Sequence, residues 1–97
     1  MSFEYSLEFT GRAPIAEIVT RLASRGLIAK DVRTDGAVLA YPSTPHDQLL
    51  RWGGDVELST TPTGLFVRMN AAQHKRLLLD IIDELAAHNL AVRVDEP

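Results

Sequence analysis

Residues 3–32 and 65–94 carry the same succession of patterns, and this pair of units constrains the fold more than any other feature of the chain. In the first, Phe3, Tyr5, Leu7 and Phe9 alternate with Glu4, Ser6, Glu8 and Thr10. A period of two belongs to a strand with one buried and one wet face. Ile15, Ile18, Val19 and Leu22 then follow at helical spacing, with Pro14 suited to the first helical position and Gly26 to the left-handed residue past the end. The second unit repeats the design. Leu65, Val67 and Met69 alternate with Phe66 and Arg68, and Leu78, Ile81, Ile82 and Leu85 correspond to the first helix stripe. Asn89 stands where Gly26 stands. Right-handed crossovers place both helices on one side of the sheet. The expected fold is α+β: a two-layer α/β sandwich of ferredoxin-like character, with about six strands in a mixed sheet, two long helices on one face and one short helix.

The boundaries follow from local chemistry. The first helix is expected over 14–25 and the second over 71–88, with Asn70 as N-cap and Gln73 three residues on. Segments 27–33 and 37–41 flank Thr34-Asp35-Gly36, and Asp-Gly predicts a type I′ hairpin turn. A short helix is predicted over 44–52, with Thr44 as N-cap, Pro45 as first helical residue and Gly53-Gly54 as its stop. A strand over 55–60 and the turn Thr61-Pro62-Thr63-Gly64 lead into the second unit, which closes on Val92 and Val94. No linker or low-complexity stretch interrupts the pattern, so residues 1–97 read as a single domain.

The chemistry is narrowed by what the 97 residues lack. There is no cysteine, which removes disulfides, thiolate catalysis and Cys-ligated metal. His74 and His88 lie about 21 Å apart along one expected helix, too far to share an ion, and the histidines read as solvated surface residues. No nucleophile elbow, paired carboxylates at glycosidase spacing or glycine-rich phosphate loop is present. Ten Lys and Arg against thirteen Asp and Glu give a net charge of −3, which argues against a nucleic-acid surface. No apolar run reaches the ~20 residues of a membrane span, and Met1–Tyr5 does not begin a signal peptide. The expectation is a cytoplasmic, non-enzymatic protein without cofactor or metal, binding neither nucleic acid nor membrane.

Three features point to a partner. Glu17, Arg21 and Arg25 on the first helix run acid to base, as the helix dipole favours. The second helix reverses this order, with Lys75 and Arg76 early and Asp80, Asp83 and Glu84 late. Those acids read either as a patch that meets a basic partner or as a local pairing of Arg76 with Asp80. Phe66 has wet-face parity on its strand, and Trp52 ends the short helix beside Arg51. Trp and Arg are enriched at interface hot spots. The candidate partner-binding residues are therefore Asp80, Asp83, Glu84, Trp52 and Phe66.

A short, cysteine-free, mildly acidic α/β chain of this kind resembles the immunity proteins of bacterial toxin–immunity pairs, such as those of contact-dependent growth inhibition. The resemblance lies in size, charge and architecture over the whole chain and assigns no residue a role. It implies neutralisation of a cognate toxin, often a nuclease, by covering its active site, with acidic side chains meeting a basic cleft. The alternative is a ferredoxin-like regulatory or ligand-binding module that homodimerises through its open sheet face, supported by Phe66 and by Ala91 at wet-face parity. The first reading expects a monomer or weak homodimer, the second a stable one.

Overall fold

The computed structural model describes residues 2–47, 54–70 and 73–95. Their elements are β1 (Phe3–Glu8), α1 (Ile15–Ala23), β2 (Ile28–Arg33), β3 (Gly36–Ala40), β4 (Val56–Thr61), β5 (Gly64–Met69), α2 (His74–Ala87) and β6 (Arg93–Asp95). The six strands form one sheet in the order β2-β3-β4-β5-β1-β6. Every pairing is antiparallel, so the expected mixed sheet is corrected. The reason is topological. The strands joined through each helix do run in the same direction, but an odd number of strands separates them. β1 alone lies between β5 and β6, whereas β3, β4 and β5 all lie between β1 and β2.

Both helices cover one face and pack on each other over a single apolar cluster. Ile15, Ile18 and Leu22 of α1 and Leu77, Leu78, Ile81 and Leu85 of α2 are buried above Tyr5, Leu7, Leu39, Val56, Leu58, Leu65, Val67 and Met69 of the sheet. Leu77 takes the inner place expected for Ile82, which is half-buried. Phe3 and Phe9 flank the cluster rather than fill it. α1 ends at Ala23, two residues before the expected 25, but the chain leaves both helices through the left-handed residues that the patterns predict. Gly26 and Asn89 have φ of 95° and 62°, Leu27 is buried and Leu90 packs against the core.

Other local expectations are corrected. The β2–β3 loop is Thr34-Asp35, because Arg33 pairs with Gly36, and neither loop residue has the positive φ of a type I′ turn. Glycine is needed at position 36 for contact: a Cβ there would lie 2.5 Å from the Leu58 carbonyl oxygen on β4. The second helix begins at His74 with no side-chain cap, and Asn70 donates its side-chain N–H to the Gly54 carbonyl instead. The last strand is Arg93–Asp95, one residue later than expected. In the short helix predicted over 44–52, Thr44 and Pro45 are not helical, His46 and Asp47 are, and residues 48–52, Trp52 included, lie outside the described residues.

Candidate partner-binding surface

The acids of α2 line a seam between the helices. Asp80 is 5% exposed and accepts two hydrogen bonds from the Arg25 guanidinium, at 2.7 and 3.1 Å. That hydrogen bonding, with the carboxylate charge, raises the Arg25 pKa above its ordinary value. One turn further along, Arg21 lies 3.4 Å from Glu84 and 3.7 Å from Asp83, and the His88 ring is 3.1 Å from Glu84. α1 and α2 therefore run antiparallel, and the basic end of one lies along the acidic half of the other. Arg76, offered by sequence as the partner of Asp80, is exposed without an ion pair among the described residues. The structure thus brings Asp80 and Glu84 together with α1 and leaves Asp83 as the most exposed of the three.

Phe66 stands elsewhere, on the sheet face away from the helices. Its cross-strand neighbours are Ser6 on β1 and Ser59 on β4, and small neighbours leave the ring half-buried. Glu4, Arg68 and Glu57 form the adjacent row, with Arg68 and Glu57 paired at 3.0 Å. Arg93 and Asp95 of β6 extend the face beyond Glu8 and Ser6. Glu4 and Glu8 make no ion pair among the described residues. The face is closed at one corner, where Ala40 is fully buried and Gly54 lies against Val38.

At that end of the sheet sit residues that the sequence reading missed. Asp55 is 4% exposed and accepts from the Tyr41 backbone N–H at 2.8 Å and the Thr44 hydroxyl at 2.5 Å. Thr44 is thus bonded across the loop, where an N-cap was expected. The Tyr41 hydroxyl is buried with no hydrogen-bond partner among the described residues. Burial, and then the Asp55 charge, push its pKa above the ordinary tyrosine value. His74 is not a solvated surface residue: its ring stacks on Phe3 with centroids 3.5 Å apart, and its Nδ1 lies 2.9 Å from the Tyr5 hydroxyl. The spacing of Phe3, Tyr5 and His74 held no signal for this, because 69 residues separate Tyr5 from His74.

These arrangements are neutral bonding, stacking and ion pairing. Among the described residues, no group of three or more His, Cys, Asp or Glu is placed to hold a metal ion, and no helix is long and apolar enough to cross a membrane. The groove along α1, about 470 Å³, is open and lined by Ala16, Glu17, Thr20, Arg21, Ser24 and Glu84. No family model matches the chain, and no curated protein or solved structure is significantly similar to it.

Proposed function

We propose that the chain is a non-catalytic protein-binding module of the immunity type, acting in the cytoplasm, which covers the active site of a basic bacterial toxin domain with its open sheet face. The observation that carries this reading is that face: a broad, solvent-facing surface with Phe66 near its middle and, beside it, the carboxylates of Glu4 and Glu8, which make no ion pair among the described residues. An apolar anchor within a charged surround is the anatomy of an interface centre and rim. The acids of α2 support it less, since Asp80 and Glu84 are engaged with α1. We infer a ferredoxin-like core enlarged by one hairpin. β5, α2 and β6 with β1 between them are the split unit of that fold, and two further strands widen the other half.

The test pairs this chain with the toxin domain encoded beside its gene. Cells expressing the toxin should survive with the wild-type chain and die with the Glu4→Lys/Glu8→Lys variant. In a binding titration that variant should associate about tenfold more slowly at low salt, with the gap closing at high salt. Equal protection by both chains would move the interface away from this face, and failure of the wild type to protect would remove the immunity reading. A homodimer through the same face is the second reading, favoured by the half-buried Phe66. Light scattering on Phe66→Ser decides it, because a dimer formed there should dissociate.

A further inference from the structure

β2 is an outer strand, and all of its residues are exposed. Ile28 and Val32 keep 45% and 48% of their surface in solvent. A groove of about 550 Å³ lies between the strand and the start of α1, with Pro14, Ile15, Ala16 and Val32 among its lining. Such an edge also presents backbone N–H and C=O groups with no strand to receive them.

The strand carries a register irregularity at Lys30, which falls between the pairs Ala29–Leu39 and Asp31–Val38. Its consequence is symmetry. Ile28 and Arg33 pair with Ala40 and Gly36, whose parity is that of the open face, while Ala29 and Val32 pair with Leu39 and Ala37 on the helix side. Read from either end, β2 therefore runs open face, helix face, extra or open-face residue, about a centre between Lys30 and Asp31. A strictly alternating strand cannot do this, because a two-fold axis between adjacent residues would oppose side chains from different faces. The charges obey the same centre: Lys30 falls opposite Asp31 in both halves. A shift of one residue either way opposes Lys30 to Lys30 or Asp31 to Asp31.

We propose that β2 pairs antiparallel with β2 of a second copy of this chain, about a two-fold axis between Lys30 and Asp31. Ile28 then lies opposite the partner's Arg33, Ala29 opposite the partner's Val32, and Lys30 opposite the partner's Asp31. The contact is isologous, so each favourable pair occurs twice. Charges on an edge strand ordinarily keep other strands away. Here they match their own symmetry mate, and Asp31, already 3.3 Å from Arg33, gains a second cation. Both open faces end on the same side of the joined sheet, leaving Phe66 and its surround free.

Sedimentation equilibrium of the full chain from about 10 μM to 1 mM tests this. The wild type should pass reversibly from monomer to dimer. Lys30→Asp and Asp31→Lys should each weaken the dimer about tenfold or more, by turning two attractions into repulsions, and the double swap Lys30→Asp/Asp31→Lys should restore it. Val32→Ser, which alters no charge, should weaken it as well. Circular dichroism melts check that each exposed-site variant is folded. A wild type that stays monomeric throughout, single variants that dimerise like the wild type, a swap that fails to restore, or growth into polymers would each overturn the proposal. Phe66→Ser should leave this dimer intact, which separates it from association through the open face.

Discussion

Asp80 and Asp55 are both almost fully buried, and they are held in opposite ways. Asp80 meets a guanidinium whose far side is in water, at the seam between two helices. Asp55 meets neutral donors, a backbone N–H and a hydroxyl, inside the loop that joins β3 to β4. Its own backbone is tied on both sides, with its N–H donating to the Leu39 carbonyl and its carbonyl accepting from the Asn70 N–H. The first acid joins two elements that would pack without it. The second organises backbone that has no ladder of its own. The difference teaches that a carboxylate matters most where its loss leaves other groups unpaired, not where it carries the most visible charge partner.

Replacing each acid is the direct way to break this comparison. Asp55→Ala leaves the Tyr41 N–H and the Thr44 hydroxyl without their acceptor, and should lower stability by about 2–4 kcal/mol, read from the urea midpoint at unchanged m-value. Asp80→Ala should be milder, because Arg25 can turn into solvent. We expect a melting temperature lower by about 5 °C, with Arg25→Ala costing much the same and the double variant little more. Asp83→Lys, at the exposed end of the same seam, should move it by less than about 2 °C. A larger loss at Asp80 than at Asp55 would reverse the ranking and make the helix seam the main anchor.

The same contrast explains what was legible in the sequence. Period-two spacing located β1, β4, β5 and β6 and helical spacing both long helices, because those patterns are local. The open-face parity of Phe66 was legible for the same reason. β2 and β3 do not alternate and were placed by the Asp-Gly turn between two apolar-rich segments. The acids of α2 stood out because they oppose the helix dipole, but their partners did not, since Arg25 is 55 residues from Asp80. Antiparallel pairing throughout depends on which strands insert between β1 and β2, and no local pattern records that. Asp55 gave the weakest signal of all: after Gly53-Gly54 it reads as the first wet-face residue of the strand expected over 55–60, whereas β4 begins at Val56 and Asp55 turns in to Tyr41 and Thr44.

The smallest effect probes the neighbourhood of Asp55 from the other side. The Tyr41 phenol is held neutral above its ordinary pKa of ~10, first by burial and then by the Asp55 charge. The folded state therefore keeps this proton where the unfolded chain has begun to lose it. By linkage, the stability that Tyr41 supplies is complete below about pH 10 and is lost as pH rises through the folded-state pKa. Tyr41→Phe removes the titrating group and a buried hydroxyl with no partner among the described residues. At pH 7 it should be neutral or slightly stabilising, within about 1 kcal/mol. Between about pH 9 and 11 its melting temperature should fall less steeply than that of the wild type. Asp55→Asn, by removing the charge while keeping an acceptor, should lower the Tyr41 pKa toward ordinary but not reach it, because burial remains. Parallel alkaline profiles for Tyr41→Phe and wild type would mean that Tyr41 titrates alike in both states, and that Asp55 holds the loop without an electrostatic effect on its neighbour.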